Sequence, residues 1–456
     1  MNRLQDRWFS SFTNTARPAT SHGASQVIAQ SSTVELNEDV LRLVLSFLTN
    51  EPCGATSIDQ ESVETDFTSA LASAASVRKN WYRLAVDVLY EHVRLRDERA
   101  CVLFARTLQT QERLAKIVLS IKLPDTIYLP CELSKRQKRA SKLLGYVHET
   151  NQFAMSRALG RIMAAAVRLQ SLRGPFGNVG RQGDMILAHL GVASKLQHLC
   201  IHPGTVQWTT WTGAPDWREK ANTLDKHPLL EPTTLIWSNL HTLVIEGLYL
   251  FFYLDQADVA RLAEAFPVLR ELVIAKTSTD HTTLGSLHFA LRNTLRTLVI
   301  WQTEVEVGTP LEPLFHVETS CERGHPWREA FNNLEHLTCV GSDHDSIPIP
   351  SPIKTIGTLT RLKSLGVSID VVGKLAVLPP CLIKLTIHLR DDNMAYIAED
   401  IEDCLDNWIL QAPSLRQLVL SAPGSRREDI GDCPATWLRL QRRLEAFNIQ
   451  LSFRIT

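Results

Sequence analysis

A hexapeptide of the form Leu-x-x-Leu-x-(Ile, Val, Leu or Cys), once with Phe in the second leucine place, recurs nine times between Leu196 and Ile449. The copies begin at Leu196, Leu240, Leu269, Leu295, Leu334, Leu362, Leu382, Leu415 and Leu444. Val118–Leu123 and Leu169–Leu172 are weaker copies. In Leu243-Val244-Ile245 the apolar residues alternate with period two, so Leu243 and Ile245 point to one face of a strand and Val244 to the other. Between copies the period changes. In Asp255–Pro267, Val259, Leu262, Ala263 and Phe266 fall on one helical stripe, Asp255 stands at the cap, and Pro267 ends the run. Strand, helix and strand in the same direction give a parallel sheet with helices along one side. No single unit can bury its own leucines, so the units must stack.

From Leu240 onward the spacing runs from 20 residues (Leu362 to Leu382) to 39 (Leu295 to Leu334). This resembles the leucine-rich repeat, whose period is about 20–29 residues and whose core carries this signature. The uneven steps and the absence of an asparagine ladder mark a degenerate form. The resemblance implies an irregular leucine-rich-repeat solenoid of the α/β class over residues 98–456. His202–Trp237 and Val305–Arg328 are too long for simple connections and are expected on the rim.

Ahead of the repeats, Val34–Leu48 is a strong helix signal. Asn37 caps it, Glu38 and Asp39 suit the dipole of the first turn, and Val40, Leu41, Leu43, Val44, Leu45, Phe47 and Leu48 make it apolar on more than one side. With Ser76–Ala85, where Val77 and Trp81 take the apolar places, this stretch resembles an F-box. Asn37 replaces the usual proline, and Thr49–Asp66 is a long polar insertion for that family. The resemblance implies a small all-α domain over 34–97 that docks on the linker subunit of a cullin–RING ubiquitin ligase. It assigns the docking surface to Leu36, Asn37, Val40, Leu41, Val44, Leu48, Val77 and Trp81. With Leu89–Leu95 following the Trp81 helix, the whole is similar to the large fungal class of F-box and repeat proteins. The implied function is a non-catalytic adaptor whose partners are the linker subunit, through it a cullin, and a target protein. The alternative is an interaction scaffold whose diverged F-box no longer docks.

Composition sets the remaining bounds. The chain has 48 basic and 49 acidic residues, a net charge of −1, which gives no support for general nucleic-acid binding. No stretch approaches the roughly 18 apolar residues of a membrane span. Residues 1–33 are rich in Ser and Thr, with Asp6 against Arg3, Arg7 and Arg17; they read as a disordered tail rather than a transit peptide. The nine scattered cysteines, with no Cys-x-x-Cys, suit a reducing compartment, hence the cytoplasm or nucleus. Lys135–Arg139 reads as a solvated helix face before it reads as an import signal.

Catalytic motifs are missing, and no cofactor or metal is expected. Cys321, His325, His336 and Cys339 are zinc-ligand types at poor spacing. Glu399–Asp403 reads as a solvated helix face. One surface stands out. The outward strand positions Val244, Val273, Val299 and Trp301, edged by Glu271, are too apolar for a face left to water. Either they bind a target or the loop carrying Trp208, Trp211 and Trp217 covers them.

Overall fold

The computed structural model describes residues 79–124, 158–174, 195–202, 236–247, 249–250, 256–279, 287, 290–305, 333–341, 359–369, 372, 377–389, 394–422 and 434–455. Its centre is one sheet in which every pairing is parallel. The strands follow one another in chain order. They are β1 (His92–Arg94), β2 (Ser120–Lys122), β3 (Ser171–Gly174), β4 (His198–Ile201), β5 (Thr242–Glu246), β7 (Glu271–Ala275), β9 (Thr297–Val305), β10 (His336–Gly341), β11 (Ser364–Ser368), β12 (Lys384–His388), β13 (Gln417–Ala422) and β14 (Gln450–Ile455). Two short strands, β6 (Tyr249–Leu250) and β8 (Ser278–Thr279), resume the chain after the positive-φ turns at Gly247 and Lys276 and pair beside the far end of β9.

The described helices are α1 (Lys79–Glu91), α2 (Glu98–Thr110), α3 (Glu112–Ala115), α4 (Gln256–Ala265), α5 (Met394–Gln411) and α6 (Pro434–Ala446), with residues 158–165 also helical. The inward leucines of the strands and the apolar stripes of the helices form one continuous core. Leu243, Leu272, Leu298, Leu337, Leu365, Leu385 and Leu418 line up strand by strand. Behind them stand Leu262 and Phe266, then Ile401, Leu405 and Trp408, then Leu440 and Leu444. Trp237 stacks on Phe266 with ring centroids 6.3 Å apart. This is the solenoid that the repeat pattern implies: each unit is closed only by its neighbours.

A backbone device holds the register. Just before each strand, one carbonyl accepts two consecutive amides of the next unit. The Gln197 carbonyl takes those of His241 and Thr242 at 2.8 and 3.0 Å; the His241 carbonyl takes those of Arg270 and Glu271 at 2.9 Å each. The same pair recurs from the Leu119 carbonyl, at Ser171 and Gln170, through to the Ile383 carbonyl, at Arg416 and Gln417. Regular repeats use a side-chain ladder for this task. Here main-chain atoms do it, which any residue supplies. Units of 20 residues (Ser364 to Lys384) and of 51 (Ser120 to Ser171) therefore stack in one register.

Two boundaries differ from the sequence reading. β1 lies inside Leu89–Leu95, so the sheet starts before residue 98 and directly after α1. At the far end, the copy at Leu444 is not a strand. Leu444 is the buried last turn of α6, and the strand is Gln450–Ile455. Asn448 sits at φ 57, the Ile449 amide reaches back to the Leu444 carbonyl at 2.9 Å, and the Asn448 amide to the Glu445 carbonyl at 3.0 Å. That is a Schellman cap closed by asparagine in the left-handed region. Leu444 and Ile449 are both core residues, so helix end and cap together mimic the hexapeptide.

Candidate functional site

The helices cover one face of the sheet, and the other face presents three rows of side chains. The middle row runs Arg94, Lys122, Arg173, Cys200, Val244, Val273, Val299, Thr338, Gly366, Thr386, Val419 and Ser452 in register. Beyond it on the following row stand Glu246, Ala275 and Trp301, in register, and Ser368, His388, Ser421 and Arg454, also in register.

The patch singled out from sequence is assembled as expected. Val273, Ala275 and Val299 form a cluster of their own, with Val244 and Trp301 packed at its margin. This second small core lies on the face opposite the main one. Val273 and Val299 are only 3% and 9% exposed, whereas Val244 and Trp301 are half-buried. The centre is therefore shielded and its edges are open. The Trp208–Trp217 segment falls outside the described residues. Glu271, at the edge, accepts a 3.0 Å hydrogen bond from Thr242 Oγ1, and the half-buried His198 lies close enough to feel its charge. Burial still holds the His198 pKa below the usual histidine value, more than Glu271 raises it.

The face bends toward the viewer at β9–β12. Trp301 on β9 meets His388 on β12 edge to face, with centroids 4.7 Å apart. Three strand steps on a flat sheet would separate their backbones by about 14 Å. Side chains that lean together cover part of that distance, and curvature supplies the rest. Gly366 shows where the bend is tightest. A Cβ there would lie 2.8 Å from Thr338 Oγ1 and 3.0 Å from Thr338 Cγ2. His388 Nδ1 is buried with no hydrogen-bond partner among the described residues. Burial pushes the His388 pKa down to about 4, with Arg454 and Lys384 adding to the effect. Gly366 and His388 were legible only as occupants of the outward rows. Their part in the bend depends on strands that are far apart in sequence.

Of the proposed docking residues, Trp81 is described. It is half-buried on α1 and packs with Tyr82 and Leu89 against Leu84, Ala85 and Val88. Leu36, Asn37, Val40, Leu41, Val44, Leu48 and Val77 fall outside the described residues. So do Cys321 and His325, while His336 and Cys339 are separated by an odd step along β10 and face opposite sides of the sheet. Burial pushes the Cys339 thiol up to about 12. Among the described residues no three His, Cys, Asp or Glu come together as a metal site, and no helix is long and apolar enough to cross a membrane. Of the acidic residues on α5, Glu399, Asp400 and Asp403 are exposed, and Glu402 and Asp406 face α6. Glu402 pairs with Arg439 at 2.8 Å and with Arg443 at 3.3 Å, and Asp406 with Arg443 at 2.7 Å.

No family model matches the chain, and no curated protein matches it. Among solved structures it is similar to an internalin from Listeria monocytogenes, at 12% sequence identity and a TM-score of 0.28, over 65% of this chain and 78% of that one. The reading of the fold as a stack of parallel strand units rests on the strand registers and the hexapeptides and takes nothing from that likeness.

Proposed function

We propose that this chain is a non-catalytic adaptor of a cullin–RING ubiquitin ligase: an F-box-like segment docks the linker subunit, and the repeat sheet holds a target protein. The observation that supports this most is the join. α1, which carries Trp81, runs without a spacer into β1, and the Glu91 carbonyl at its end accepts the Leu119 amide at 2.9 Å. A docking helix fused this way to a solenoid holds a captured target at a fixed position, which is what ubiquitin transfer by a separate subunit requires.

The test is copurification of the linker subunit with the full chain. Wild type should capture it. Leu41→Asp should abolish capture, because a charge would be buried without a partner, while the circular dichroism and melting temperature of the repeats stay the same. Capture by Leu41→Asp would overturn the docking assignment. If wild type does not capture the linker, the chain acts as a repeat scaffold instead.

A further inference from the structure

The open face has one stretch that the adaptor reading leaves unused. At its N-terminal end, Arg94, Lys122 and Arg173 occupy the same register position on three adjacent strands. Neighbouring parallel strands lie about 4.8 Å apart, so three cations sit within about 10 Å of one another. Like charges directly opposite one another destabilise a sheet. At another position of this solenoid, neighbouring units set opposite signs together, Lys363 and Glu335 at 2.7 Å. The preceding row here is His92, Ser120, Ser171 and His198, which adds no carboxylate.

Across the described strand positions of this face, Arg94, Lys122, Arg173, Lys384 and Arg454 stand against two acids, Glu246 and Glu271. Both acids are engaged, Glu246 with Arg173 at 3.3 Å and Glu271 with Thr242. On the helix side, α5 carries Glu399, Asp400, Glu402, Asp403 and Asp406, and α6 carries Arg439, Arg442 and Arg443. Arg94, Lys122 and Arg173 all have interactions within the chain. What sets their row apart is the sign and spacing of its charges.

From this we infer that the N-terminal third of the open face receives an acidic segment of the partner protein. Its carboxylates lie over Arg94, Lys122 and Arg173, and an aliphatic residue reaches the margin of the valine cluster at Val244. The inference rests on the reading that the repeat face holds a target, and it names the chemistry of that target. A nucleic acid fits less well. Phosphate-backbone binding typically draws on about six to ten contacts, whereas this row is three cations long and ends at an apolar margin.

The test is selection of a random dodecapeptide library displayed on phage, against the full-length protein immobilised at low salt. Peptides enriched on wild type should carry Asp and Glu at about three times their input frequency. The variant R94E/K122E leaves the Arg173–Glu246 pair in place; an unchanged melting temperature checks its fold, and K122Q is the milder substitute if it fails. Either variant should remove the acidic enrichment, and one selected peptide should bind at least tenfold more weakly to it. Neutral or basic selected peptides, no enrichment at all, acidic enrichment that survives the charge change, or tighter capture of a single-stranded 12-nucleotide RNA would each overturn the inference. Linker capture is scored separately. Linker bound with no acidic selection sinks this inference alone; acidic selection without linker sinks the adaptor reading alone.

Discussion

Gly366 lies directly opposite Thr338, whose side chain takes the space a Cβ would need. Any side chain there would meet Thr338 at under 3 Å. Gly366→Val should lower stability by about 1–3 kcal/mol through overpacking, and Thr338→Gly in the same chain should restore much of the loss, since the two positions are directly opposite. Additive losses in the double variant, read by urea denaturation, would show that the glycine serves something other than the bend. His388 makes a second test with a defined sign. Its folded pKa, near 4, lies below the ordinary 6.5. The unfolded chain therefore takes up the proton first, and stability present above pH 6.5 is lost as pH falls toward 4, by about 3 kcal/mol at most. His388→Asn should flatten that part of the stability profile. Equal pH slopes for the two proteins would mean that His388 is more hydrated than its burial implies. The valines of the patch were legible because outward strand positions can be counted off the hexapeptide. The bend was not, because it is set by Gly366 against Thr338 and by Trp301 against His388, contacts 28 and 87 residues apart.

At the scale of elements, α5 shows how one helix divides its labour. Ala398, Ile401, Leu405 and Trp408 are buried on the sheet side, Glu402 and Asp406 face α6, and Leu410 is 82% exposed. Trp408→Ala removes a side chain with no exposed surface and should cost about 3–5 kcal/mol. Leu410→Ala, a smaller truncation two residues away at an exposed position, should change stability by no more than about 0.5 kcal/mol. A large loss at Leu410, measured by thermal melting, would mean that this helix face is covered in solution. Elements were legible where the period was clear: the hexapeptides from Leu196 to Leu415 all lead into strands. The last copy misled because Leu444 and Ile449 are both buried, yet an asparagine cap separates helix from strand between them. One residue of left-handed geometry, Asn448, leaves almost no apolar signature. Of the acidic run Glu399–Asp403, expected to be solvated, Glu399, Asp400 and Asp403 are exposed, while Glu402 pairs with Arg439 and Arg443 of α6.

For the whole molecule, carbonyls that accept two amides tie each unit to the one before it from β2 to β13, and single bonds (Leu119 to Glu91, Gln450 to Arg416) join the end units. Stability should then be a sum of nearest-neighbour interfaces, and opening should begin at the ends, where a unit has one interface to break instead of two. This predicts the order of amide hydrogen exchange. The ladder amides of Glu271, Thr297, His336 and Ser364, in the middle, should exchange most slowly. Those of Ser171 and Gln450, toward the ends, should exchange faster, by about tenfold or more for each 1.4 kcal/mol that fraying releases. Because the ladder uses main-chain atoms alone, changing the side chains that flank it, for example Arg296→Ala or Lys363→Ala, should leave this order intact. A single rate shared by all the ladder amides would instead mean that the sheet opens as one cooperative unit, held by the continuous apolar core more than by its unit-to-unit contacts.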